Sequence, residues 1–281
     1  MGDQRFEDPY PPREAQPDYE YSPIKKPLTP RDILRKLWAP FAFVGFMLWK
    51  LKFVFAALFK FKIFTTAGTM LVSIGAYALL WGWKFAIGFV VLIFVHEMGH
   101  VLEAKRQGLP VSAPMFIPFL GALITLKQLP DDAWAEAKVA IAGPIVGGLG
   151  AAAVWGLGEA LDSELLVALA FTGFFLNLFN LLPVVPLDGG RAMAAVHPAM
   201  WALGLAGLVA LAFWHPNPIL LLVLVFGGLE LWNRWRNRHS PEARAYYRVK
   251  PWQRLATGGT YLGLAGLLAV AMTATHVERT F

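Results

Sequence analysis

From Thr66 onward the chain alternates between apolar runs and short polar or basic connections. Drawn from this pattern, the runs are Thr66–Trp83, Phe85–Ala104, Lys138–Gly158, Glu164–Pro183, Ala199–Trp214, Ile219–Trp232 and Gly258–Thr273. An α-helix rises about 1.5 Å per residue, so roughly 20 apolar residues cross a hydrocarbon core of about 30 Å. Several of the runs hold only about 15–17 residues, at or below the lower limit for a span. The pattern therefore predicts an all-α polytopic membrane protein with six to seven transmembrane helices. Between Pro110 and Pro130 the chain is apolar but broken by Pro114, Pro118 and Gly121, which argues against a spanning helix. A small membrane-associated β-hairpin turning near Gly121 and an irregular re-entrant loop both fit that stretch.

The remaining segments divide by composition. Residues 1–30 are Pro-rich among acidic residues and tyrosines, and read as a disordered tail. Residues 31–65 are apolar yet interrupted by Arg35, Lys36, Lys50, Lys52, Lys60 and Lys62, the pattern of an interfacial segment with snorkelling lysines. Residues 66–191 hold the chemistry described below, and residues 192–281 add C-terminal helices around a basic loop, 233–257.

At 57% hydrophobic residues with a mean hydropathy of +0.50, the chain is too apolar for a soluble globular domain. Its 11 Trp and 21 Phe suit interfacial aromatic belts. Zero cysteines exclude disulfides and thiolate metal sites, so any metal must use His and carboxylate ligands. The net charge of +6 comes from Lys and Arg that flank apolar runs, which points to membrane rather than nucleic-acid contact. No cleavable signal peptide is visible in the polar first thirty residues. The 25–62, 105–138 and 234–254 connections are basic, whereas Glu159, Asp162 and Glu164 crowd one that has no Lys or Arg. The positive-inside rule then sets the N-terminus and the basic connections in the cytosol of a cell (inner) membrane protein.

Within the second run stands His96-Glu97-Met98-Gly99-His100. Positions four apart on a helix share a face, which lets two imidazoles bind one zinc ion with the intervening carboxylate beside it as a proton carrier. A charged group at mid-bilayer costs about 2.5–3.5 kcal/mol, so three titratable groups within five residues need a reason, and chelation supplies one. Eleven residue steps from Phe85 to His96 amount to about 16 Å of rise, which sets the pair below mid-membrane on the cytosolic side.

A catalytic zinc needs a third protein ligand. Asp188 is the one carboxylate in the segment from Asn177 to Arg191, and the drawn topology returns it to the same half of the membrane as the histidines. Gly189 and Gly190 allow a sharp turn there. On chemistry alone, Asp188 reads equally as a metal ligand or as an N-cap for a span beginning near Ala192.

His96-Glu97-x-x-His100, Ala142-Gly143-Pro144 and Asn180-x-x-Pro183-x-x-x-Leu187-Asp188-Gly189-Gly190 together resemble the site-2 protease family of intramembrane zinc metalloproteases. The resemblance covers roughly residues 85–191. It implies one zinc ion held by His96, His100 and Asp188, Glu97 as general base, and Asn180 holding the scissile peptide or its oxyanion. It also implies that the 111–130 stretch forms a sheet whose edge accepts substrate as an added strand. The PDZ and CBS modules of many members have no room here, which makes this a compact form. Where many members carry Asn after Gly-Pro, this chain has Ile145.

The other polar residues have plainer readings. His197 and His215 precede prolines near span ends, as capping or interface histidines do. Asn177, one turn before Asn180, suits an interhelical hydrogen bond. Arg191 suits Asp188 or a lipid phosphate, and Glu103 is edge charge. The glycines from Gly143 to Gly150 fit close helix packing, since no Lys-Ser/Thr follows to make a phosphate cradle. The leading functional reading is an intramembrane zinc endopeptidase acting on single-span membrane-protein substrates within the lipid bilayer, with no nucleic-acid partner. A non-proteolytic membrane protein with a structural metal site shares every ligand and differs only in having no use for Glu97. A transporter lacks its signature of paired interrupted helices.

Overall fold

In a computed structural model, the residues described are 50, 66–119, 121–124, 128, 130–215 and 217–276. The Pro-rich tail and nearly all of the basic segment 31–65 lie outside them. The chain divides into two units, Met1–Ala57 and Leu58–Phe281, and every element named here belongs to the second.

Nine helices and one strand pair follow in chain order among the described residues. Helix α1 (Thr66–Trp81) runs almost directly into α2 (Trp83–Arg106), separated only by Gly82. The φ of +80° at Gly82 is a left-handed turn that a side chain would oppose. Lys105 and Arg106 close α2, where cations meet the negative end of the helix dipole. Strands β1 (Met115–Ile117) and β2 (Gly121–Leu123) pair antiparallel, with Phe116 opposite Ala122. The small two-stranded sheet expected near Gly121 is therefore present.

Helix α3 (Ala133–Ala160) starts where the Asp132 side chain accepts from the Ala135 N–H at 2.7 Å. A short connection through Asp162 leads to α4 (Glu164–Asn180). After a tight segment, 181–187, comes α5 (Asp188–Val196), then α6 (Met200–Trp214), α7 (Pro218–Asn237), the short α8 (Pro241–Tyr246) and α9 (Pro251–Ala274). Helix α3 is central and touches α2, α4, α5 and α9. Ala140, Ile141 and Ala151 of α3, Ala170 and Phe174 of α4, Ala192 and Met193 of α5 and Tyr261 of α9 are buried together. A second apolar cluster joins α1, α2, β1 and α4 through Tyr77, Phe89, Val90, Phe116 and Leu169.

Among the described residues, three helices are long and apolar enough to cross a membrane: α2, α3 and α9. Helices α1, α4 and α6 are apolar but have 16, 17 and 15 residues. At about 1.5 Å per residue they reach roughly 23–26 Å, short of a 30 Å core. Among the described residues the expected count of six to seven spans is therefore supported only in part. Three helices combine length with apolarity, and α1, α4 and α6 are too short. Helix α7 has 20 residues but ends in a charged turn with Arg234 and Arg236. Two of the drawn runs begin well inside their helices, whereas those at Thr66 and Glu164 begin where the helices do. Helix α3 starts five residues before Lys138 and α9 seven before Gly258, because charged residues in their first two turns, Glu136 and Lys138 in α3 and Arg254 in α9, interrupt the apolar pattern.

Candidate metal centre

Helix α2 places His96 and His100 one turn apart, and both are buried. Their Nε2 atoms lie 3.1 Å from each other. Asp188, the first residue of α5, brings Oδ2 to 3.2 Å from His96 Nε2 and 3.1 Å from His100 Nε2. All three residues are buried, and their nearest donor atoms lie within 4.8 Å of one another. The structure therefore brings together the three residues that the sequence offered as ligands. Leu187, not Asp188, occupies the N-cap position of α5. Helix α5 ends at Val196 ahead of Pro198, so the cap reading, with a span starting near Ala192, does not describe this segment.

The far side of each ring shows what the cluster can hold. His96 Nδ1 is 2.8 Å from Asn177 Oδ1, and His100 Nδ1 is 2.8 Å from the Val139 carbonyl. The Asn177 amide is oriented by its own Nδ2, which donates to the Gly173 carbonyl at 2.7 Å. Both Nδ1 partners are acceptors, so the imidazole protons are assigned to Nδ1. That leaves two Nε2 lone pairs and one carboxylate oxygen facing a common point, which is stable only with positive charge between them. Tetrahedral zinc with ligands at about 2.0–2.1 Å separates its donors by roughly 3.3 Å, close to the spacing here. Acceptors behind ligating histidines are the usual means of fixing tautomer and ring orientation. The donor set fits a zinc ion.

Small residues make the convergence possible. A Cβ on Gly143 would sit on the His100 ring, and one on Gly147 would sit on the Asn177 amide. Gly99 abuts the backbone of Ala142 and Gly143, so α2 and α3 approach there at backbone distance. Gly189 and Gly190 press against the carbonyls of residues 181–184, which folds α5 tightly under the end of α4. The Gly143–Gly150 run is thus a packing surface, as its sequence suggests.

Glu97 is buried on α2 beside His96 and accepts no hydrogen bond among the described residues. Asn180 is the last residue of α4 and half-buried, and no hydrogen bond joins it to His96, His100 or Asp188 among the described residues. Asn177, read from sequence as an interhelical hydrogen-bonding residue, makes that bond to a proposed ligand. His197 Nδ1 accepts from the Ala199 N–H at 3.0 Å, a local turn role. Glu103 pairs with Arg106 and Gln107 at the end of α2.

Two participants escaped the sequence reading. The Val139 carbonyl is backbone and leaves no mark in a sequence. Glu136, in the first turn of α3, looks like any acid at a helix N-terminus. In the structure it is buried, meets Arg191 Nε at 3.1 Å through Oε1, and accepts from the Tyr246 hydroxyl at 2.6 Å through Oε2.

Fold and site together define a helical protein of membrane-spanning character with a buried two-histidine, one-aspartate cluster suited to a metal ion. Residues 84–163 match the model of Peptidase family M50, which bears out the resemblance read from the motifs. The chain is 27% identical over 164 residues to Zinc metalloprotease MJ0392 of Methanocaldococcus jannaschii, a match covering 57% of this chain and 47% of that protein. It is 31% identical over 109 residues to Putative zinc metalloprotease sll0528 of Synechocystis, covering 37% and 28%. It is likewise 31% identical over 135 residues to Putative zinc metalloprotease Rip3 of Mycobacterium tuberculosis, covering 44% and 34%. The matched part is less than half of each of these relatives. All three names agree with the expected enzyme class and metal. Asp188 and Asn180 lie beyond the matched residues 84–163, so the closeness of Asp188 to the histidines is an observation of the structure itself.

Proposed function

We propose that the chain is an intramembrane zinc endopeptidase that cleaves transmembrane segments of membrane-protein substrates near the cytosolic face. The observation that carries this reading is the meeting of His96 and His100 Nε2 with Asp188 Oδ2 at 3.1–3.2 Å inside an apolar helix bundle. His96, His100 and Asp188 would hold the metal. When bound, zinc supplies Lewis acidity, which lowers the pKa of a nearby water and polarises a peptide carbonyl. Glu97, buried and without a hydrogen-bonded partner among the described residues, takes the water's proton and passes it to the leaving amine. Asn180, at the end of the helix that leads to the Asp188 segment, steadies the scissile peptide.

A helical substrate shields its peptide bonds, so cleavage requires a locally extended segment. The strand pair supports β-addition as the means. Helix α1 already holds one side of β1, through Thr66 Oγ1 donating to the Pro114 carbonyl at 2.8 Å and Thr69 Oγ1 accepting from the Phe116 N–H at 3.2 Å. The outer edge of β2 carries no strand partner among the described residues and is the edge we assign to substrate. Basic residues at the end of α2 and through α7–α8 support a cytosolic position for this end of the molecule.

Co-expression with a single-span substrate tests the reading. Glu97→Gln is expected to keep stoichiometric zinc and to lose cleavage by about 10²–10⁴-fold, the usual contribution of a general base. Asp188→Ala is expected to lose the zinc as well. Full cleavage by Glu97→Gln would end the proposal.

A further inference from the structure

We infer that Glu136 is a positioning residue that keeps the Arg191 guanidinium from capturing the Asp188 carboxylate. The inference rests on reading His96, His100 and Asp188 as a metal centre. Arg191 lies one turn after Asp188 on α5, so helix geometry alone brings its side chain to the acid. Its Nη1 stands 3.9 Å from Asp188 Oδ1, too long for a hydrogen bond, while its Nε is 3.1 Å from Glu136 Oε1. A guanidinium matches a carboxylate in a two-pronged pairing, and the low polarity of a buried site strengthens that attraction. Left without another acid, Arg191 would close on Asp188 and compete with the metal for the same oxygens.

Glu136 prevents this from a different helix. It is buried, at 8% exposure, and stands 55 residues before Arg191 in the chain. Its second oxygen is held by the Tyr246 hydroxyl of α8, so the carboxylate cannot rotate away from Arg191. Burial, and then the charge of Glu136, push the Tyr246 phenol above its usual range, so it remains a donor. The outcome is a divided Asp188, with Oδ2 facing the imidazoles and Oδ1 facing a restrained cation. A plain helix-terminal acid would need neither the burial nor the tyrosine.

The test is a double-mutant cycle on the full chain in detergent, read by zinc affinity in chelator competition and by the absorption spectrum of the cobalt-substituted protein. Glu136→Gln is expected to weaken zinc binding about tenfold, in the range seen for residues that orient ligands. In an Arg191→Gln background the same change is expected to shift affinity by less than about twofold, because the competitor has gone. A purely structural role for Glu136 would cost as much in both backgrounds, and that result overturns the inference. So does an unchanged affinity and spectrum in Glu136→Gln. Should Glu136→Gln fold poorly, Tyr246→Phe keeps the charge but frees the carboxylate, and about threefold weaker binding is expected, again only when Arg191 is present. A wild-type protein with no zinc that His96→Ala removes would instead overturn the metal-centre reading, and the inference with it.

Discussion

Two regions of this molecule use the same residue to opposite ends. Where α2, α3 and α5 meet the end of α4, each of Gly99, Gly143, Gly147, Gly189 and Gly190 has a neighbour occupying the place where its Cβ would be. On α6, α7 and α9, Gly207, Gly228, Gly259, Gly263 and Gly266 have nothing within 4 Å of that place. The second region instead presents large apolar side chains outward, such as Leu203, Phe213, Val225 and Leu267. Helices in lipid gain little from burying apolar surface against one another, so close approach depends on small residues and polar contacts. In the first region, two of the vacated positions are filled by polar side chains, the His100 ring against Gly143 and the Asn177 amide against Gly147. Glycine there is a means of seating polar groups, whereas on the outer faces it has no such partner.

The sharpest way to break this contrast is Gly143→Ala. Alanine is the better helix former by about 1 kcal/mol, so propensity alone favours the variant. The new methyl, however, falls on three atoms of the His100 ring, which is also fixed by its bond to the Val139 carbonyl. Overpacking of this kind costs about 1–3 kcal/mol and outweighs the propensity gain. The expected outcome is a less stable protein whose zinc affinity falls at least about 100-fold, since the ring must leave its place. Thermal unfolding with and without zinc, beside a metal titration, checks both parts. A variant that kept zinc and gained stability would show that the spacing of α2 and α3 is not set by this ligand.

A smaller effect is expected from Asn177→Ala. It removes the acceptor behind His96 and leaves a buried imidazole N–H without a partner, but the ring keeps its space. Zinc affinity is expected to fall about 10–100-fold. Asn177→Asp retains an acceptor at the same place and is expected to recover most of that loss. Equal losses in the two variants would mean that Asn177 serves packing between α2 and α4 rather than the tautomer of His96.

The pair of regions also explains what the sequence could and could not tell. The two histidines were legible because a fourfold helical spacing inside an apolar run is a local pattern. Asp188 was only half legible. Its chemistry allowed a cap or a ligand, and the choice depended on how residues 181–187 bend, which is a property of tertiary packing. Asn177 was visible as a polar residue in a helix, but its partner lies 81 residues away. Glu136 and Tyr246 are separated by 110 residues, and neither sits in a motif. The helices were placed well by hydropathy, but the starts of α3 and α9 were not, since Ala133 and Pro251 begin them ahead of charged residues that interrupt the apolar pattern.

The mildest substitution sharpens the comparison from the other side. Gly207→Ala repeats the change made at Gly143, in an apolar helix of 15 residues on a face with open space. No overlap opposes the methyl, so only the propensity difference remains, and stability is expected to rise by no more than about 1 kcal/mol with zinc affinity unchanged. Gly204, one turn earlier on the same helix, faces the backbone of Pro183 and would have to move it to accept a methyl. Gly204→Ala is therefore expected to destabilise where Gly207→Ala does not, although both lie in one helix of one composition. Chemical unfolding of the pair decides whether the contrast belongs to whole regions or to single faces. If both variants behaved alike, glycine in α6 would be a matter of composition, and the division drawn here would hold only around the metal centre.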